Sequence, residues 1–259
     1  MTIKVTDRQI EKAKVFHSLH VKGRPLVLYN IWDAGGAKAI SDCDEKAVGT
    51  GSASVAAAHG YGDGEEIPLD LVMTIVERIT ATVDLPVTID FEGAYAQTPE
   101  GVAENVLRLV AAGAIGCNFE DQIIGTEDLY SIEEQAARIR AIREATDALG
   151  LPFFINARSD IFLHAHDDNK HKDLMSETKE RAIAYTEAGA DGFFVPWLRD
   201  SDLLAELCND LILPVNAFKR PGIASNKDLA KLGIARISYG PSPYRVAIVD
   251  LIRRIHEKD

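Results

Sequence analysis

Asp90 and Glu92 stand two apart in Val87-Thr88-Ile89-Asp90-Phe91-Glu92, a run rich in β-branched and aromatic residues. Successive side chains of a strand point to opposite faces, so a strand through this run aims both carboxylates the same way. Two carboxylates so placed repel each other unless a cation, a proton or a basic side chain compensates. Asp63, in the glycine-rich stretch Gly60-Tyr61-Gly62-Asp63-Gly64, and Glu120, at the end of another apolar run, complete an all-oxygen set. Hard oxygen ligands select Mg²⁺ or Mn²⁺, and Mg²⁺ usually keeps several waters. The expected arrangement has one or two carboxylates on the metal and the others holding metal-bound water. Taken singly, each acid could equally cap a helix or pair with a surface lysine; the set carries the metal reading.

Arg158 closes the buried-looking run Phe153-Phe154-Ile155-Asn156-Ala157-Arg158. A guanidinium there can grip a carboxylate or phosphoryl group with two parallel hydrogen bonds, or pair with a neighbouring acid such as Asp160. Thr50, Gly51 and Ser52 follow a further strand-like run, and the small residues would let backbone N–H groups approach an oxyanion. Asn216 ends up on the same side by the same reasoning. His164, His166 and His171 lie in the charged segment Leu163-His164-Ala165-His166-Asp167-Asp168-Asn169-Lys170-His171, which reads as an exposed loop and, more sharply, as a lid offering a histidine acid or base. Cys43, Cys117 and Cys208 are far apart, which suggests neither a zinc site nor a disulfide framework; Cys117 reads as core.

Positioning these residues requires a repeating scaffold. Short apolar runs at 26–30, 47–51, 87–92, 116–121, 153–159, 192–197, 213–218 and 236–240 read as strands covered on both faces. Helical periodicity fills 69–82, 99–112, 131–149, 176–188 and 227–232, with Thr98-Pro99-Glu100 and Ser131-Ile132-Glu133-Glu134 as start signals and Gly189 and Gly233 as stops. Eight β-then-α units in 259 residues imply a single (β/α)8 TIM barrel over 1–259, with an extra N-terminal helix within 1–20 closing its bottom. An open doubly wound sheet is the alternative, disfavoured because no Gly-x-Gly-x-x-Gly follows the first strand. In a barrel the C-terminal strand ends share one mouth, which is where the residues above would meet.

The net charge of −12 argues against a nucleic-acid surface, and no apolar run is long enough to cross a membrane. The polar first residues read as a helix rather than a secretory signal, so the expected location is cytoplasmic.

Several segments are familiar together: Asn30-Ile31-Trp32-Asp33-Ala34, Gly51-Ser52, Gly60 to Asp63, Asp90-Phe91-Glu92-Gly93, Asn118-Phe119-Glu120-Asp121, Asn156-Ala157-Arg158-Ser159-Asp160 and Gly240-Pro241-Ser242-Pro243-Tyr244-Arg245. From about Pro25 onward the chain resembles the isocitrate lyase/phosphoenolpyruvate mutase superfamily. The resemblance implies a phosphoenolpyruvate mutase-like TIM barrel using Mg²⁺ on small 2-oxo or 2-hydroxy acids. It implies Asp90 as the direct metal ligand; Asp63, Glu92 and Glu120 around metal-bound water; the backbone of Gly51 and Ser52 at the pyruvyl oxygens; and Arg158 on the substrate. It also implies homodimers or homotetramers that exchange the last helix, here 242–256. The chain departs from the pattern in the segment after the fourth strand. There the lyases carry Lys-(Lys/Arg)-Cys-Gly-His and the mutases a lysine, whereas this chain reads Gln122-Ile123-Ile124-Gly125-Thr126-Glu127-Asp128-Leu129-Tyr130. The expected function is Mg²⁺-dependent cleavage of a C–C bond in a small 2-oxo or 2-hydroxy dicarboxylic acid through a pyruvate enolate. Arg158 and Glu120 are the expected catalytic groups, and Thr50, Gly51, Ser52, Asp90, Arg158 and Asn216 the substrate contacts. The alternatives are C–P bond chemistry on phosphonopyruvate and an idle barrel that only binds an oxo acid.

Overall fold

A computed structural model of the chain describes residues 3–163, 165 and 167–257. Eight parallel strands form its centre: β1 (Leu26–Leu28), β2 (Val48–Gly49), β3 (Val87–Asp90), β4 (Gly116–Glu120), β5 (Phe154–Arg158), β6 (Gly192–Phe194), β7 (Val215–Phe218) and β8 (Arg236–Ser238). Each strand pairs with the next in sequence from β2 to β8, and β8 pairs back onto β1. A parallel bridge between Ile31 and Thr50, just past β1 and β2, closes the ring. The consecutive, closed order is that of a (β/α)8 barrel and rules out the open doubly wound sheet.

Around it run α1 (Asp7–Ser18), α2 (Ala34–Asp42), α3 (Ser52–Ala58), α4 (Leu69–Thr82), α5 (Pro99–Ala111), α6 (Ile132–Asp147), α7 (His171–Glu187), α8 (Ser201–Asp210), α9 (Asn226–Lys231) and α10 (Ser242–His256). The anticipated start signals operate. The hydroxyl of Thr98 accepts from Gly101 N–H ahead of Pro99, and Ser131 with Glu134 forms a reciprocal capping box. The short Ala-, Gly- and Ser-rich α2 and α3 were not anticipated, nor was α8, although its Leu204, Leu207 and Cys208 are buried at helical spacing. Helix α7 starts at His171, within the segment expected to be loop. His171 is buried there against Phe162, with ring centroids 4.9 Å apart; His164 and His166 lie outside the described residues.

Helix α1 closes the bottom of the barrel. Phe16 meets the ring of Phe154 edge-on at 5.1 Å, and the Gln9 amide donates to the carbonyls of Val110 and Ala114 at 2.9 Å. Cys117 and Cys208 are buried, and Cys43 is exposed.

The barrel interior holds a polar layer at the level of Asp90↔Asn118↔Asn156↔Gly192. Asn156 donates to Asn118 Oδ1 at 2.9 Å and to Asn216 Oδ1 at 3.0 Å, while the buried Arg236 donates to Asn118 Oδ1 at 3.1 Å. A Cβ on Gly192 would lie 2.6 Å from Asn156 Oδ1, so only glycine leaves room for this side chain. Buried amides persist inside apolar surroundings because each finds partners.

Candidate active site

Asp90 is the last residue of β3, and its carboxylate is held from two sides. Oδ2 accepts from Ser52 N–H at 3.0 Å and Ser52 Oγ at 3.1 Å; Oδ1 accepts from Asn118 Nδ2 at 3.1 Å. Its own N–H donates to Thr50 Oγ1 at 3.0 Å. Thr50 therefore sets the backbone of Asp90 from a buried position and does not line the cavity in front of it, contrary to its expected role as a substrate contact.

The reading of 87–92 as one strand needs correction. The regular strand β3 ends at Asp90; Phe91 and Glu92 still exchange backbone hydrogen bonds with Asn118 and Glu120, but Glu92 adopts φ +51° in a tight turn that also puts Ala94 and Tyr95 at positive φ. Strand alternation thus does not aim Glu92. Its Oε1 instead accepts from Gly64 N–H at 2.8 Å and Glu65 N–H at 3.2 Å, which ties it to the loop carrying Asp63. Several non-glycine residues at positive φ in one turn store strain, a recurrent property of functional sites.

Burial, and then the nearby Asp63 and Asp90, push the Glu92 carboxyl up to about 8. Asp63 is exposed as a residue, yet its carboxyl turns inward, and desolvation followed by Asp90 raises it as well. Glu120, at the end of β4, is buried and strongly raised, chiefly by desolvation. Three carboxyls with raised pKa values around Asp90 mean that the mouth resists its own negative charge.

Arg158, ending β5, is the half-buried cation beside them. Nη1 lies 2.6 Å from Glu120 Oε2 and Nε donates to Asp160 Oδ1 at 2.9 Å. The Glu120 contact is close but off the line of a good hydrogen bond, so it is an ion pair whose oxygen retains unused acceptor capacity. Among the described residues Nη2 has no protein partner, and Arg158 lines the cavity. The structural pairing with Asp160 and a donor without a protein partner are therefore both present.

Asp121 is also raised by burial, but its oxygens have protein partners. Equally buried and next in sequence to Glu120, it accepts from Tyr185 Oη at 2.9 Å, Arg181 Nη1 at 3.3 Å and Asp160 N–H at 3.0 Å. It is structural.

The cavity has a volume of about 200 Å³. Asn30, Gly51, Ser52, Asp63, Asp90, Asn118 and Arg158 form one side of it; Phe194, Pro196, Trp197 and Phe218 form another. The N–H of Gly51 is taken by Ile31 O at 3.2 Å and that of Ser52 by Asp90, so an oxyanion can be received by Ser52 only in exchange for Asp90. Asn216 does not reach the cavity. Its amide donates to the carbonyls of Ala217 and Arg236 and its oxygen accepts from Asn156 and Ser238, which uses it up inside the barrel. Asn30 and Asn118 take the place expected for it. Asn30 Oδ1 accepts from Tyr239 and Gly240 N–H at 2.9 and 2.8 Å.

Sequence reasoning also missed Phe194, Pro196 and Phe218, which sit in apolar runs, and Arg236, whose position inside the apolar run of β8 was the available signal. Tyr130, which ends the segment after β4, is pinned under the Arg138 guanidinium at 4.0 Å and is not part of the cavity wall.

The donor set suits a hard divalent cation. Asp63 and Asp90 bring carboxylate oxygens to the cavity, and raised carboxyls surround them. Among the described residues, no group of three or more Asp, Glu, His or Cys side chains converges into a ready-made cage. Mg²⁺ rarely uses one, because it dehydrates reluctantly and completes its shell with water and ligand. The residues fit such an ion with one or two direct carboxylates.

Known proteins give this geometry a family. The phosphoenolpyruvate phosphomutase family matches residues 16–258. A solved structure from Burkholderia cenocepacia J2315, provisionally named a phosphonomutase, is 44% identical with a TM-score of 0.93, covering 96% of this chain and 99% of that one. An uncharacterized protein of Mycobacterium tuberculosis H37Rv is 36% identical over 234 residues, 90% of this chain and 84% of the relative. The 2-methylisocitrate lyase of Escherichia coli K12 is 27% identical over 244 residues, 90% of this chain and 79% of the enzyme. Matched over nearly its whole length, the chain belongs to the phosphoenolpyruvate phosphomutase family, within the isocitrate lyase/phosphoenolpyruvate mutase superfamily.

Proposed function

We propose that this protein breaks the bond between C3 of a small 2-oxo acid and an acidic group on that carbon, leaving the electron pair as a pyruvate-type enolate, with phosphonopyruvate as the first substrate to test. The observation that carries the reading is the set Asp63, Asp90, Glu92 and Glu120 gathered around Arg158 at the barrel mouth, in a chain matched by this family from residue 16 to 258. Sequence reasoning alone ranked C–C cleavage first. The family match and the similarity to a provisionally named phosphonomutase move C–P cleavage ahead of it.

Asp90 would hold Mg²⁺ or Mn²⁺ directly, with Asp63, Glu92 and Glu120 around its waters. The bound ion would supply positive charge where negative charge gathers on the C2 oxygen. Ser52 and Asn118 fix the Asp90 carboxylate before any ligand arrives, so little reorganisation is left for the reaction. The Nη2 of Arg158 would take the acidic group on C3, while Glu120 and Asp160 hold the guanidinium in place. As the C3–P bond breaks, its electrons form the C2=C3 bond and charge the C2 oxygen. The phosphoryl group passes to water, giving phosphate and, once C3 is protonated, pyruvate; or it passes to the C2 oxygen, giving phosphoenolpyruvate.

A second reading, release of CO₂ or an aldehyde-type fragment from C3, is favoured by one feature. The segment 122–130 carries no basic side chain, and Arg158 is already shared between two acids, so positive charge for a phosphonate is sparse.

We also propose that α10 packs on a second copy of the chain. None of its residues is buried, Val246, Val249, Leu251, Ile252 and Ile255 are each about half exposed or more, and Arg245 at its start lines the cavity.

Purified protein with Mg²⁺, phosphonopyruvate and a panel of 2-oxo and 2-hydroxy dicarboxylic acids, followed by phosphorus NMR and pyruvate detection, tests the assignment. Conversion of phosphonopyruvate supports it. Turnover of a dicarboxylate alone establishes the second reading, and binding without product leaves an idle barrel.

A further inference from the structure

From the aromatic side of the cavity, and resting on the 2-oxo acid reading above, we infer that the natural ligand carries an apolar group, an aromatic ring or a branched alkyl chain, on C3. Most polar anchors belong to β1 to β5 or the segments that follow them, and Ser238 and Arg245 add a hydroxyl and a guanidinium after β7. Between these two groups, at β6 and β7, the lining is Phe194 and Pro196, both buried, and Trp197 and Phe218, both partly exposed. These four supply no charge, and only the Trp197 indole N–H could donate a hydrogen bond.

The wall is built rather than incidental. Phe218 lies so close to Gly240 that a Cβ there would be 2.5 Å from the ring, and Gly240 itself adopts φ +53°. Trp197 meets Phe218 edge-on, centroids 6.4 Å apart, and the Arg220 guanidinium stacks over the Trp197 ring at 3.8 Å. Both rings are thus held in place without a ligand. A bare three-carbon acid with two charged ends covers little of such a wall, whereas an apolar C3 substituent removes both surfaces from water.

Calorimetry on the wild-type protein with Mg²⁺ tests this with pyruvate, 3-phenylpyruvate and 4-methyl-2-oxopentanoate. Covering one aromatic face predicts that the two substituted acids bind roughly ten- to a hundredfold more tightly than pyruvate, and that Trp197→Ala and Phe218→Ala each shrink this preference to within about threefold. Equal affinities in the wild type overturn the inference and leave the 2-oxo acid reading standing. A preference that survives both substitutions also overturns it. If none of the three acids binds, the 2-oxo acid reading fails and the inference falls with it.

Discussion

The mouth of this barrel has two arcs that solve opposite problems. The arc from β2 to β5 crowds carboxylates around Arg158, with burial and mutual repulsion raising Asp63, Glu92 and Glu120. The arc of β6 and β7 offers Phe194, Pro196, Trp197 and Phe218 and no charge. An apolar wall at a cavity is a modest liability, relieved by any apolar ligand. Uncompensated buried carboxylates are a larger one, relieved only by protons or a cation. Burial raises Asp121 too, but there the fold supplies its own Arg181 and Tyr185 as direct partners. That it does not do so for Asp63 and Glu92 locates the site's chemistry in the first arc and its selectivity in the second.

Substitutions should separate the arcs. The largest effect is expected from Asp90→Ala, which removes the carboxylate around which the acidic arc is arranged. Turnover in the phosphorus NMR assay should fall at least about a thousandfold, and an activity within tenfold of wild type would mean the chemistry lies elsewhere.

Next comes Arg158→Gln. It leaves the buried Glu120 and Asp160 without their cationic partner, and urea denaturation should show a loss of about 3–5 kcal/mol. A loss below 1 kcal/mol would make the pair a surface-like contact, contradicting its burial.

A smaller, pH-dependent effect belongs to Glu92. Its carboxyl lies above the ordinary 4.5, at about 8, so the folded state binds more protons than the unfolded state between those values. Stability of the metal-free protein is therefore fullest below pH 4.5 in this group's contribution and declines as pH rises through 8. Thermal melts from pH 5 to 9 should show that decline, Glu92→Gln should flatten it, and Mg²⁺ should oppose it. A slope unchanged by Glu92→Gln would sink this assignment.

The smallest effect should come from the aromatic arc when the substrate has no apolar group. Phe218→Leu is expected to lower kcat/KM for phosphonopyruvate only about two- to threefold. A loss comparable to that of Asp90→Ala would erase the distinction between the arcs.

The sequence made the scaffold legible because barrel strands are short apolar runs between capped helices, and all eight are present, with the Ser131–Glu134 capping box and the last helix over 242–256 as read. It was a poorer guide to direction. Alternation places Asp90 correctly but fails two residues later, because β3 ends and Glu92 enters a left-handed turn that no local pattern announces. Asn216 was taken for a mouth residue because asparagine near a strand end reads as exposed; the interior amide layer that absorbs it depends on Asn118, Asn156 and Ser238 from three other strands. Phe194 and Phe218 stayed hidden for the converse reason. Both look like core, and only the closed ring shows that they line a cavity.

The account rests on a divalent cation at Asp90, and calorimetric titration of Mg²⁺ into the protein in the presence of oxalate, a mimic of the enolate's oxygens, tests that most directly. One ion bound per chain, with the heat lost in Asp90→Ala, is the predicted result. No uptake, or uptake indifferent to Asp90→Ala, would contradict it.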